Sequence, residues 1–163
     1  MRARKAAMTD AEAIAAIYNQ GIEDQIATFE TRPRSAAEIK GWFDGVHPIV
    51  VVEEGGRAIG FAATFVYRPR ECYAGVAETS LYVARESRRR GAGRLAMTAL
   101  IRAAEKAGFW KLVSRVFPEN VASLKLIGSL GFRAVGTYQK HGQLDGVWRD
   151  VVIVERLIPT NLR

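Results

Sequence analysis

The sequence predicts a single α/β domain over residues 1–163, a mixed β-sheet with helices on both faces. Three observations carry that prediction. Apolar-periodic segments run in the order β-α-α-β-β-β-α-β-α-β-β, which mixes hairpins with strand–helix–strand crossovers. Apolar residues make up 48% and charged residues 25%, ordinary values for a globular chain of one-domain length. No internal repeat, low-complexity tract or linker-like stretch divides it.

The elements follow in chain order. Arg2 to Ala7 reads as a short strand. Thr9-Asp10-Ala11-Glu12 has the spacing of a capping box and opens a helix with Ile14, Ile17 and Tyr18 on one face. Ser35-Ala36-Ala37-Glu38 is a second box, starting a short helix that carries Ile39, Trp42 and Phe43, and a polar loop with Thr28-Phe29-Glu30-Thr31 separates the two. Ile49 to Glu53 and Arg57 to Tyr67 form a hairpin around Gly55-Gly56. After an Arg/Pro-rich bend comes a strand from about Tyr73 to Val83. A Gly-containing loop, Arg88 to Gly93, leads into a helix from about Arg94 to Ala107, stopped by Gly108. Phe109 to Phe117 reads as a strand, and Pro118-Glu119-Asn120 leads into a helix ending at Gly131. Two strands, about Ala134 to Lys140 and Trp148 to Leu157, close the chain around a loop containing Leu144-Asp145-Gly146. The three tryptophans, Trp42, Trp110 and Trp148, are assigned to the core.

Composition excludes several function classes. Ile59 to Tyr67 falls far short of the ~18 apolar residues of a membrane helix and fits a buried strand. The charged start MRARKAAMTD carries no secretory pattern, so a cytoplasmic setting is expected. One cysteine, Cys72, leaves no internal disulfide and no clustered-thiolate zinc site, and His47 and His141 lack the companions of a metal site. The net charge is +7, with 18 arginines among the 24 basic residues, which favours bidentate anion contacts.

Chemistry concentrates at two places. Arg85-Glu86-Ser87-Arg88-Arg89-Arg90-Gly91-Ala92-Gly93-Arg94 holds five arginines where a helix should begin, the end that already carries positive dipole charge. Free amides, dipole and guanidinium groups there describe a site for a bound anion, most simply a pyrophosphate. A solvated charge run beside a Gly-rich turn is the other reading of the same residues. No G-x-x-x-x-G-K-[ST] occurs. Gly91-Ala92-Gly93-Arg94-Leu95-Ala96 fits the dinucleotide pattern, but arginine-rich loop separates it from the strand, and no acid follows at the required distance. In the preceding strand, period two puts Val76, Glu78, Ser80 and Tyr82 on one face. Glutamate is depleted in strands. Glu78 therefore reads either as a general base beside the reactive end of the bound molecule or as the partner of an arginine such as Arg68 or Arg70.

These residues, in this order, resemble the GNAT superfamily of acetyl-CoA-dependent N-acetyltransferases over nearly the whole chain. Its pyrophosphate loop corresponds to Arg88-Arg89-Arg90-Gly91-Ala92-Gly93, with Val83 upstream, and its Asn-x-x-Ser…Gly-Phe segment to Asn120, Ser123, Gly131 and Phe132. Within it the chain is similar to the phosphinothricin branch, which includes arsinothricin and methionine sulfoximine or sulfone acetyltransferases. Ala27 to Thr31, Tyr67 to Tyr73, Glu78 to Val83 and Gly146 to Val151 carry that likeness, and Lys140-His141-Gly142 looks more like the arsinothricin-type members.

The resemblance implies a central, mostly antiparallel sheet, acetyl-CoA as cofactor, a small amine or amino-acid substrate and a homodimer, with no metal, nucleic acid or membrane partner. It implies Glu78 as catalytic base. Leu81, Tyr82, Val83, residues Arg88 to Arg94, Asn120 and Ser123 would hold the cofactor. Phe29, Glu30, Arg68, Arg70 and Tyr73 would hold the substrate. Ile127 stands where many members carry a tyrosine acid, so no side-chain acid is assigned. A nucleic-acid-binding module using the arginine run, and a catalytically idle acyl-CoA-binding module, remain the competing classes.

Overall fold

A computed structural model describes residues 1–163. The strands are β1 (Arg2–Lys5), β2 (Ile49–Glu54), β3 (Arg57–Val66), β4 (Val76–Val83), β5 (Lys111–Val116), β6 (Arg133–Leu144) and β7 (Val147–Leu157). The helices are α1 (Ala11–Asp24), α2 (Ala36–Lys40), α3 (Ala92–Lys106) and α4 (Val121–Ser129). All seven strands join one sheet in the order β1-β2-β3-β4-β5-β7-β6, antiparallel except between β4 and β5. No helix is long and apolar enough to cross a membrane.

Period-two alternation sorts the strands into two cores. Val50, Val52, Ala62 and Ala77 face α3 and α4 and pack with Met97, Leu100 and Ile127. Ile49, Val51, Phe61 and Ala63 face α1 and α2 and pack with Ile14, Ile17 and Ile39. Tyr82 packs against this second core while Leu81 and Val83 pack against the first, the division expected for β4.

The parallel pair positions the site. Only Val76↔Lys111, Ala77↔Leu112 and Glu78↔Val113 are in register. Beyond them β4 stays with β3 as far as Val83↔Gly60, while β5 stays with β7 as far as Val116↔Val152. Each strand keeps its antiparallel neighbour, and a gap opens between them.

Several local expectations are corrected. Ser35 and Glu38 do form a capping box: Glu38 N–H donates to Ser35 Oγ at 3.2 Å and Ser35 N–H to Glu38 Oε2 at 2.7 Å. Thr9 and Glu12 do not. The Asp10 carboxylate instead accepts from Ala7 N–H at 2.8 Å and, bidentately, from Arg4 at 2.8 and 2.9 Å, and α1 starts at Ala11. A charge-assisted pair outcompetes a neutral hydroxyl cap. Glu71–Tyr73 forms a 3-10 turn, so β4 begins at Val76 and not at Tyr73. β6 runs on to Leu144 because Asp145 and Gly146, at φ 48° and 78°, make a two-residue hairpin turn. Trp148 is exposed on β7 and is not a core residue.

Asp10 is almost fully buried, and the Arg4 hydrogen bonds hold its carboxyl below the ordinary range against the opposing effect of burial. A lowered folded-state value stabilises above the unfolded-state value of about 3.9 and is lost as pH falls through the folded one. Asp10→Asn should therefore lower unfolding free energy by about 1.5–3 kcal/mol at neutral pH. In urea titrations the gap from wild type should narrow as pH falls below about 4. A gap that does not change with pH would show that the pair contributes nothing.

Candidate active site

A cavity of about 590 Å³ opens on the α1/α2 side of the sheet, above the point where β4 and β5 part. Its floor includes Glu78 and Ser80 from β4 and Val113 and Arg115 from β5. One wall is aromatic. Tyr18 meets Trp42 and Tyr82 edge-on at 5.5 and 5.1 Å, and Trp42 meets Phe65 at 5.0 Å. Tyr82 can lie there because Gly21 of α1 has no side chain: a Cβ would stand 2.5 Å from the Tyr82 ring. Burial pushes the Tyr82 hydroxyl well above the ordinary phenol range and raises that of Tyr18, so both stay neutral.

The opposite wall is the loop between α1 and α2. Asn19 pins it, accepting from Arg34 N–H at 2.8 Å and donating to Arg34 O at 3.0 Å. Phe29 meets Phe117 edge-on at 4.9 Å, Glu30 pairs with Arg34 at 2.6 Å, and Gln25 bonds Asp145 of the β6–β7 turn. A register shift in β6 between Tyr138 and Gly142 brings His141 and Gly142 to the cavity rim.

Glu78 is the acid at the floor. Its Oε1 lies 2.8 Å from Arg115 Nη2 and 4.0 Å from Arg68 Nη1, yet it is shielded from solvent and accepts no aligned hydrogen bond. The carboxylate is thus ion-paired with Arg115 at the cavity floor, where a cation entering the cavity would compete with that guanidinium for it.

Beneath the cavity a narrow cleft of about 50 Å³ follows the gap, between Thr79–Tyr82 of β4 and Ser114–Val116 of β5, with Asn120, Ser123 and Ile127 of the next segment beside it. The Ser114 hydroxyl donates to Thr79 O at 3.3 Å, so the Thr79 carbonyl faces β5. Backbone groups alternate sides along a strand, so Leu81 and Val83 also face the gap, with no β5 partner there. At the far end of the gap the chain turns through Arg89 and Gly91, at φ 61° and 89°, into α3, whose first turn has neither a side-chain cap nor an acidic residue. Free amides thus converge at the N-terminus of a 15-residue helix, a built anion cradle. Unpaired strand edge, narrow cleft and anion cradle lie in one line, which fits an extended arm carrying amides and a diphosphate.

The arginines around that cradle do less than the sequence suggested. Arg88 pairs with Asp24 at 2.7 Å and donates to Val83 O, Arg85 pairs with Asp24 at 2.8 Å, and Arg90 pairs with Glu54 at 2.9 Å. Arg94 donates to the Ser129 hydroxyl at 2.7 Å. Burial would raise the Asp24 carboxyl, but the Arg85 and Arg88 guanidinium groups outweigh it and hold it low. The cradle is therefore built from amides first, with Arg89 and Arg94 as the cations free of any carboxylate. Asn120 Oδ1 accepts from Ser123 N–H at 3.3 Å, the plain capping bond, which leaves its NH2 facing the cleft region.

The substrate-side expectation divides. Phe29 and Glu30 line the cavity, whereas Arg68, Arg70 and Tyr73 are not among its walls. Arg68 stacks on Tyr67 at 4.5 Å and reaches the floor only through its distant contact with Glu78, and Tyr73 packs edge-on against Tyr67. The 3-10 turn at Glu71–Tyr73 buries none of its residues. The cations of the cavity are Arg34 and Arg115, neither singled out by the sequence. A charged residue two places past a strand partner of Glu78 was the signal for Arg115, but only once the register was known.

Residues 14–132 match the acetyltransferase (GNAT) family. A methionine sulfoximine/methionine sulfone acetyltransferase of Pseudomonas paraeruginosa is 32% identical over 96% of this chain and 95% of its own length. A phosphinothricin N-acetyltransferase of Alcaligenes faecalis is 32% identical over 90% of this chain and 77% of its own. The crystal structure of a GNAT phosphinothricin acetyltransferase of Sinorhizobium meliloti, in complex with acetyl-CoA, superposes with a TM-score of 0.89 at 28% identity, covering 96% of this chain and 87% of that one.

The close approach of Gly21 to Tyr82 gives a test of the cavity wall. Gly21→Ala should destabilise the protein by about 1–3 kcal/mol, the usual cost of overpacking. Gly128→Ala in α4, where an added Cβ would meet nothing within 4 Å, should be neutral or stabilising by up to about 1 kcal/mol. Urea midpoints of the two variants check the contrast, and equal midpoints would contradict this packing.

Proposed function

The chain belongs to the acetyltransferase (GNAT) family, and we propose that its substrate is a small amino acid or analogue of the phosphinothricin, arsinothricin or methionine sulfoximine/sulfone type. It is an N-acetyltransferase, and its acyl donor is acetyl-CoA. The observation that carries the substrate reading is the position of Glu78: a carboxylate paired with Arg115 at the floor of an amino-acid-sized cavity, beside a narrow cleft.

Acetyl-CoA supplies an acetyl group activated as a thioester. Arg89 and the amides of residues 89 to 94 hold the diphosphate, and the Leu81 and Val83 backbone groups receive the amides of the pantetheine arm. Asn120 and Ser123 flank the arm from the start of α4. Glu78, directly or through a water, accepts a proton from the substrate ammonium. The freed nitrogen lone pair then forms a bond to the acyl carbon while the carbon–sulfur bond breaks. The second proton lost from nitrogen goes to water, and the thiolate leaves unprotonated and takes up its proton in solvent. Leu81 N–H, aimed into the cleft, meets charge developing on the acyl oxygen. Ile127 beside the cleft offers no proton, and a thiolate leaves without one. The aromatic wall and Phe29 enclose the aliphatic part of the substrate, and Glu30 and Arg34 face its polar end. A homodimer is supported by the apolar side chains exposed along the edge hairpin, Val135 and Tyr138 of β6 and Val147 and Trp148 of β7. A cytoplasmic setting goes with this chemistry.

A thiol-release assay across amino acids, phosphinates, arsenicals, polyamines and aminoglycosides tests the substrate class. In the same assay Glu78→Gln should lower kcat by about 10²–10⁴. Acetyl-CoA affinity, read by calorimetry, should stay within about twofold of wild type, because the carboxylate lies outside the diphosphate and arm contacts. Unchanged turnover would remove Glu78 from the mechanism.

A further inference from the structure

We propose that Arg115 holds the carboxylate adjacent to the reacting amine, so that the Glu78–Arg115 pair selects α-amino acids by their zwitterion. The proposal rests on the acetyltransferase reading above and deepens it.

Arg115 sits on β5 two residues after Val113, the register partner of Glu78, so the two side chains rise from neighbouring strands on one face. Its Nη2 is 2.8 Å from Glu78 Oε1, and it makes no other ion pair. A guanidinium carries five N–H donors, so most of its capacity is unused. Its side chain is 45% exposed and lines both the cavity and the cleft, at the junction where an acyl group and an amine must meet.

The other cations near the cavity are committed or distant. Arg34 is tied to Glu30 at 2.6 Å, Arg68 stacks on Tyr67 and stands 4.0 Å from Glu78, and Arg149 lies over Phe117 with Glu119 at 3.8 Å. An anion beside the amine therefore meets Arg115 first. In an α-amino acid, ammonium and carboxylate share one carbon, and Glu78 and Arg115 present the opposite charges at equally close spacing. Entry of the zwitterion exchanges one resting ion pair for two: ammonium on Glu78, carboxylate on Arg115. No charge is left unpaired in either state. An amine without that carboxylate would take Glu78 and leave Arg115 with no partner, which is the arrangement by which a polar site rejects a substrate.

The test compares L-methionine sulfone with its primary carboxamide on wild-type protein, Arg115→Met and Arg115→Lys. Wild type should favour the acid by about 10- to 100-fold in kcat/KM, the value of a charge-assisted pair. Arg115→Met should lose that preference: the acid-to-carboxamide ratio of kcat/KM should fall to within about threefold of unity, mainly through a higher KM for the acid. Arg115→Lys should recover part of it, because lysine keeps the charge without the fork. Equal use of acid and carboxamide by wild type overturns the proposal. So does preferential use of polyamines or aminoglycosides, an equal loss of both substrates in Arg115→Met, or a loss confined to acetyl-CoA. Should Arg115→Met fail to fold, the wild-type ratio decides alone. Absence of turnover with every amine would instead overturn the substrate reading on which this rests.

Discussion

The separation of β4 from β5 after Glu78 and Val113 is the constraint on which the rest of the molecule depends. An interrupted sheet is costly, because an unpaired buried backbone group forfeits about 1–3 kcal/mol. The cost is contained in two ways. Each strand keeps a full antiparallel neighbour on its other side, and the Ser114 hydroxyl caps the Thr79 carbonyl. Of the groups that remain, those of Leu81 line the cleft and Val83 O accepts from the Arg88 guanidinium. The gap also sets where helices begin. α3 follows β4 and α4 follows β5, so two helix N-termini approach the gap from its two banks. Their dipoles and free amides favour an anion at the same end. One break in one pairing thus creates the cleft, exposes its strand edge, orients the cradle and leaves Glu78 as the last paired residue at its head.

Charge in this protein is used mostly for stapling. Asp24 at the end of α1 receives both Arg85 and Arg88, joining the helix that begins the cavity loop to the turn that begins the anion cradle. Arg4 bridges Asp10 and Glu53, tying β1 to the start of α1 and to β2. Arg90 ties the cradle to β2 through Glu54. These bonds fix the loops that bear function to the sheet that bears the core. They also dilute the arginine run as a nucleic-acid patch: three of its five guanidinium groups are held by carboxylates. What a run of like charge offers a ligand depends on its partners, and partners come from distant sequence.

That dependence separates what the sequence disclosed from what it hid. The Ser35 box, the alternation in β4 and the glycine turn before α3 are local, and each is legible from a few residues. Glu78 stood out because glutamate is a poor strand residue with a reason to be there. Phe29 and Glu30 lie on the cavity wall where the family likeness implied. Arg115 and Arg34 were invisible because their roles come from parallel register and from Asn19 pinning a loop, neither of which has a local signature. His141 was assigned to a loop because the long β6 strand and its register shift depend on pairing with β7. The Thr9 box misled in the opposite sense: its spacing was right, but Arg4 offered Asp10 a stronger bond.

The contrast between the two spaces at the site bears on how an activated thioester survives there. The cavity is roomy and lined about equally by polar and apolar side chains, so water can enter it and carry off the proton that Glu78 would take in the proposed mechanism. The cleft is an order of magnitude smaller and is lined by Leu81, Val116 and Ile127 together with Thr79, Ser80, Ser114, Asn120 and Ser123, so it leaves little room for water beside an acyl group that the proposed mechanism would place there. Attack can then come only from the cavity side, where the aromatic wall, Phe29 and the charged pair decide what is admitted. A tyrosine in place of Ile127 would supply a proton to the thiolate but would also put a hydroxyl in that narrow space. With isoleucine there, the proposed mechanism leaves discrimination among amines to the cavity, and the Glu78–Arg115 pair at its floor would give that discrimination a physical form.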